Sequence, residues 1–178
     1  MPHCYMDRSM DDADPYDYKM IDLEVFGIRV LGGEDSPVLL LKDPEDTKLM
    51  PIWIGHVEAA AIALQLSDET EVTRPLTHDL LAELIREFVG EAAGRVVITS
   101  MDEGLFYARL RVLDLDIDAR PSDAVALALR LGWPIQCPRS LMDQVGVEVD
   151  ELPSNEVDEF RAFLDSVNAD DFSEGQND

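Results

Sequence analysis

Cationic residues are scarce in this chain. Lys and Arg number 14 against 38 Asp and Glu, a net charge of -24, and only three of the cations are Lys (Lys19, Lys42, Lys48). No basic stripe runs along any segment, so the overall field repels nucleic acid, and a polyanion would need a locally positive cleft. Cysteine is nearly absent. Cys4 and Cys137 show neither metal-type spacing nor a disulfide framework, which predicts a cytoplasmic setting. Cys137 reads as a small buried hydrophobe. No apolar run reaches the length of a membrane span, so no membrane partner is expected. The opening MPHCYMDRSMDDADPYDY lacks both the basic start and the apolar core of a secretion signal. A P-loop, a Gly-rich dinucleotide fingerprint, an HExxH pair and a Ser nucleophile elbow are missing too.

Hydrophobic residues are plentiful, at 46% of 178, enough for one domain with a full core. Residues 1–19 read as a disordered acidic leader, and residues 20–146 as the folded domain. Residues 147–178 read as an acidic segment with eleven acids and a single cation, Arg161. Within it, Val157, Phe160, Phe163 and Leu164 form an apolar stripe. That spacing predicts a short amphipathic helix over 155–167, docked on the domain or on a protein partner.

Strands and helices follow from periodicity. A long first strand begins at Met20, and its alternation slips phase beside Gly27, which predicts a bulge. Val38–Leu41 and Leu49–Ile54 read as strands, with Pro51 at an edge or an irregularity. The segment HVEAAAIALQL, from His56, reads as a helix buried almost all round. Thr77 is the expected N-cap of a helix to about Val89, with Leu80, Leu81, Leu84, Ile85, Phe88 and Val89 on its apolar face. A hairpin follows, turning at Asp102-Glu103-Gly104, then a strand over 115–119, an Ala/Leu-rich helix to Leu131, a short strand at 134–137 and a short helix at 139–144. Strands cluster rather than alternate with helices. The expected class is α+β, a single domain with a mixed, largely antiparallel sheet packed by buried helices. Buried Ala-rich helices and a separate amphipathic tail predict a homo-oligomer.

One short pattern occurs twice. RPLTHDLL (Arg74–Leu81) and DARPSDAVAL (Asp118–Leu127) each place Arg-Pro, a hydroxyl residue and an Asp at the door of an apolar helix. A helix N-terminus offers unpaired N–H groups and partial positive charge, and an Arg beside it makes a phosphate site. Arg74, Thr77, Arg120 and Ser122 are the phosphate-binding candidates. His78 is the candidate general base, read against a boundary histidine that bonds a backbone carbonyl. Asp79, Asp123 and Glu58 are candidate catalytic carboxylates and ligands for Mg²⁺ or Mn²⁺. The plainer alternatives are acids that complement helix dipoles and Arg residues paired with local acids, for instance Arg120 with Asp118. The two copies carry function only if the fold gathers them around Glu58.

LMPIWIGHVEAAAIAL (Leu49–Leu64), RPLTHDLL, DEGLFYARL (Asp102–Leu110) and DARPSDAVALALRLGWPI (Asp118–Ile135) together resemble the bifunctional nuclease domain family, over about Met20 to Gly146. The matching positions include Trp53, Gly55, Glu58, Arg74, Pro75, His78, Asp79, Arg120, Pro121, Ser122 and Asp123. The resemblance implies an α+β domain and, by analogy with plant members, nuclease activity on DNA and RNA. It implies nucleic acid as partner and supplies no established catalytic set. The leading expectation is a metal-assisted phosphodiesterase. The rival is a non-enzymatic module that binds a small anion or a protein.

Overall fold

The computed structural model describes residues 19–30, 36–67, 74–90 and 94–148. The expected leader and the amphipathic stretch at 155–167 lie outside these residues. Twelve elements follow in chain order: β1 (Met20–Val30), β2 (Pro37–Lys42), β3 (Lys48–Trp53), α1 (His56–Leu66), α2 (Thr77–Val89), β4 (Gly94–Asp102), β5 (Leu105–Val112), β6 (Leu115–Ala119), α3 (Pro121–Leu131), β7 (Ile135–Pro138), α4 (Arg139–Val145) and β8 (Val147–Glu148). The strands form one sheet in the order β6-β5-β4-β7-β1-β2-β3-β8. Only β4 and β7 pair in parallel, so the sheet is mixed and largely antiparallel, and the domain is α+β. No helix among the described residues is long and apolar enough to cross a membrane.

Sequence and structure agree on the strands for simple reasons. The phase slip at Gly27 is a register shift between Val25 and Gly27, where Gly27 takes φ 145. The bulge lets one long strand pair with β7 by its first half and with β2 by its second. Pro51 pairs with Leu40, while β8 covers Lys48 and Leu49, so among the described residues the missing N–H of Pro51 has no strand to serve on its other side. The hairpin turns on Glu103 and Gly104, both at positive φ, the geometry that suits strand twist. On β5, Ala108, Leu110 and Val112 are buried, while Arg109 and Arg111 face the acids of β6.

The helices differ from expectation. α3 is the buried one: seven of its eleven residues, Pro121, Ser122 and the run Ala124–Ala128, are out of solvent. Its small side chains let α1 and α2 both pack on it. α1 is buried only at Ala59, Ala61 and Ile62, and Val57 is exposed. On α2 most of the expected apolar face is turned outward, although Ile85 packs against the core. Only Ala82 is buried there, while Leu80, Leu81, Leu84 and Phe88 stand in solvent. Periodicity reports which residues share a face, and here packing on the Ala-rich α3 required the smallest one. The N-cap of α2 is Leu76, not Thr77, which is the first helical residue and is exposed.

Candidate active site at the helix entrances

Three helix N-termini converge. Glu58 comes from the first turn of α1, His78 from the first turn of α2, and Arg120 and Asp123 from the entrance of α3. Arg120 is the N-cap of α3 and Pro121 its first residue, so the Pro ring sets the approach of the chain and forfeits an N–H that no helix bond needs. The cap places the Arg120 guanidinium between two carboxylates. Nη2 donates to Glu58 Oε1 at 2.7 Å, and Nε donates to Asp123 Oδ2 at 2.7 Å. Asp123 Oδ1 lies 3.1 Å from His78 Nε2, completing a chain from α1 through α3 to α2.

Gly55 shapes the first link. It is the N-cap of α1, and a Cβ there would stand 2.2 Å from Glu58 Oε2. The carboxylate folds back over the bare Cα, so a side chain there would make it shift. Burial works against the charge of Asp123. Hydrogen bonds from Arg120 and His78 overcome it and hold the carboxyl below its ordinary value. In return, the bonds to Asp123 and Glu58 raise the already high value of Arg120. Two carboxylates against one guanidinium leave one negative charge on the cluster, which an imidazolium at His78 would cancel. Arg120 is 66% exposed, so the cluster is open to solvent on its cationic side.

Asp79 points elsewhere. Its carboxylate pairs with Nε of Arg130 and accepts the Leu76 N–H at 2.8 Å. Burial opposes its ionisation, and the bonds from Arg130 and Leu76 outweigh burial, so its pKa also lies below the ordinary value. Arg130 was not singled out by sequence. Its side chain is 5% exposed and also donates to the Ala126 and Ala61 carbonyls, at 3.0 and 3.2 Å. One guanidinium thus ties α1, α2 and α3 together. The available signal was a lone cation near the end of an apolar helix, in LALRLG. A hollow of about 170 Å³ lined by Gln65, Asp79, Ala82, Glu83, Arg86 and Arg130 adjoins this clamp rather than the His78 cluster.

The remaining candidates stay outside the cluster. Arg74 and Thr77 are exposed, and Arg74 makes no ion pair with a described residue. Ser122 is buried in α3. Arg120 pairs with Glu58 and Asp123, while Asp118 pairs with Arg109 instead. The three carboxylates proposed for Mg²⁺ or Mn²⁺ do not share a focus, because Asp79 is committed to Arg130. No group of three His, Cys, Asp or Glu among the described residues is placed to hold a metal ion. Glu58 and Asp123 alone flank a common point, and the Arg120 guanidinium stands there. Cys137 is buried in the core, which pushes its thiol up to about 12 and leaves it inert.

Known proteins share this arrangement of sequence. An uncharacterized protein of Mycobacterium tuberculosis is 44% identical over 164 residues, 86% of this chain and 98% of that one. Bifunctional nuclease 1 of Oryza sativa and a bifunctional nuclease of Oryza minuta are each 29% identical over 133 residues, 68% of this chain and 39% of theirs. The bifunctional nuclease domain matches residues 39–150, which include every residue of the Glu58–Arg120–Asp123–His78 cluster. The chain belongs to the bifunctional nuclease domain family.

Proposed function

We propose that the protein is a cytoplasmic nuclease that hydrolyses phosphodiesters of DNA or RNA at the Glu58–Arg120–Asp123–His78 cluster. The observation that carries this reading is the contact of His78 Nε2 with Asp123 Oδ1 across two helices, beside an exposed guanidinium. A histidine oriented by a carboxylate is suited to move protons, as base toward water or as acid toward the leaving oxygen. Facing a carboxylate, Nε2 carries the proton in the neutral ring, and Nδ1 is then its basic nitrogen. Arg120 Nη1 takes no part in the bonds to Glu58 and Asp123, and would meet a nonbridging phosphate oxygen with help from the α3 N-terminus. Glu58 holds Arg120 in place. A divalent ion would have to displace that guanidinium to reach both carboxylates.

The test is hydrolysis of single-stranded DNA and RNA by purified protein, with added Mg²⁺ or Mn²⁺ and with chelator. His78→Ala should lower the rate by about 10²–10⁴-fold, the usual worth of a positioned acid or base. Activity that survives both His78→Ala and Arg120→Ala would remove the proposal. The chain's net charge of -24 favours a second reading, a regulatory module that binds a small anion at Arg120. It predicts no turnover, together with phosphate-dependent NMR shifts at Arg120 that vanish in Arg120→Ala.

A further inference from the structure

The sheet carries a hollow away from the helix entrances. On β4, β5 and β7, Val96, Leu110 and Ile135 belong to the core. Side chains alternate along a strand, so Arg95, Arg111 and Gln136 stand on the opposite face. With Val112, Leu113 and Pro134 they line a hollow of about 290 Å³. Pro134 follows the C-cap of α3, Gly132, whereas Arg120 caps the other end of that helix. Eleven helical residues, about 16 Å of rise, lie between the two places.

Two like charges meet there. Arg95 and Arg111 are direct partners in the β4–β5 register. Cβ atoms so paired lie about 5 Å apart, and like charges at that spacing destabilise a sheet. Arg95 is exposed and forms no ion pair with a described residue. Arg111 Nε stands 3.6 Å from Asp116 Oδ2, while Arg109 holds the same carboxylate at 2.9 Å. In a chain with 38 acids and 14 cations, setting one arginine against another needs a reason.

We propose that this hollow is a second binding site, which takes the phosphate group of a small organic monoester. Guanidinium groups from neighbouring strands can each offer paired N–H donors to one phosphate, and a shared dianion turns their repulsion into a clamp. Gln136 commits Nε2 to Asp22 Oδ1 at 2.8 Å, which leaves its side-chain carbonyl to accept from a ligand hydroxyl. The wall of Val112, Leu113 and Pro134 suits carbon rather than phosphate oxygen, which favours an ester over the free anion. Leu113 is 67% exposed and sits at φ 52, an uncommon backbone for a branched side chain. The volume matches a phosphate with a sugar-sized body. The site shares no residue with the Glu58–Arg120–Asp123–His78 cluster, so it stands apart from the nuclease reading.

The probes are AMP and inorganic phosphate, titrated into the full chain and read by NMR at the arginine Nε–Hε groups. AMP should shift the Arg95 and Arg111 signals with a Kd of about 1 mM or below, and inorganic phosphate should bind several-fold more weakly. Arg95→Gln should weaken AMP binding by about 10-fold or more, the worth of a charge-assisted hydrogen bond. It should leave nucleic-acid hydrolysis unchanged and raise the Tm of the ligand-free protein, because the like-charge pair is gone. Arg120→Ala should leave the titration of Arg95 and Arg111 as it was. Silence of both signals at roughly 10 mM AMP overturns the proposal. So does binding that survives Arg95→Gln and disappears in Arg120→Ala, which puts the phosphate at the cluster. Equal affinity for AMP and inorganic phosphate overturns the assignment to a monoester. A response to a single-stranded oligonucleotide alone overturns it as well, in favour of a polymer track.

Discussion

The entrances of α2 and α3 look alike in sequence and behave differently in the fold. Both open with Arg-Pro, and both carry Asp at the third helical position, Asp79 in α2 and Asp123 in α3. The register of the Arg-Pro pair differs. Arg120 is itself the N-cap of α3, so its side chain lies beside the first turn and grips Asp123. Arg74 stands two residues before the N-cap Leu76, and Asp79 turns back to the Leu76 N–H and across to Arg130. A two-residue offset decides which arginine joins the cluster and which acid becomes structural. The helices differ to match: α3 is enclosed, and α2 shows its leucines to solvent.

The largest effect separates the arginine that clamps Asp79 from the arginine at the entrance of α2. Arg130→Met takes a buried cation from Asp79 and leaves two carbonyls without their donor. It should cost about 3 kcal/mol and lower Tm by roughly 10 °C. Arg74→Met should stay within about 0.5 kcal/mol. Equal losses in thermal melts would show that Arg74, like Arg130, has a structural partner.

The acids separate next. Asp123→Asn removes the charge that orients His78 and Arg120, and should lower nuclease rate about 100-fold with a small change in Tm. Asp79→Asn should do the reverse, costing about 1–2 kcal/mol and leaving the rate within a few-fold. If Asp79→Asn abolishes turnover in a folded protein, the catalytic assignment belongs to Asp79 as well.

Acid should expose both. The carboxyls of Asp79 and Asp123 lie below their ordinary value of 3.8 in the folded chain. Each therefore contributes stability that is fully present above that value and is lost as pH falls through the lower folded value. Urea midpoints measured from pH 7 down to pH 3 should fall on the acid limb, and Asp79→Asn and Asp123→Asn should each flatten it. An acid limb unchanged in both variants would mean that other carboxylates set it.

Much of this was legible in residues. Strand alternation gave β1 with its bulge and the β4–β5 hairpin, because a half-buried strand writes its faces in period two. The Arg-Pro doors marked both helix starts. His78, Asp123, Arg120 and Glu58 were candidates before the fold brought them together. Three things were not legible. Leu80, Leu84 and Phe88 mark an apolar face without saying whether the core or a partner covers it. The separation of Asp79 from Asp123 depends on Arg130, 51 residues from Asp79 in sequence, and no local pattern encodes that contact. Nor does spacing reveal that Arg120 occupies the point where two carboxylates would otherwise hold a cation.

The smallest effect tests the offset itself. Leu76 caps α2 without a side-chain acceptor, and only the reciprocal bond from its N–H to Asp79 is in place. Leu76→Ser would supply a hydroxyl to the free N–H groups of the first turn and complete a capping box with Asp79. The gain should be about 0.5–1 kcal/mol, roughly 2–3 °C in Tm, with activity unchanged. The same substitution at the cap of α3, Arg120→Ser, should also satisfy the helix end, yet it should abolish activity because the guanidinium is gone. A matched pair of stabilised helices with one dead enzyme would show that α3 gives up the better cap to keep Arg120 between Glu58 and Asp123. Loss of activity in Leu76→Ser would instead tie the entrance of α2 to the chemistry beyond His78.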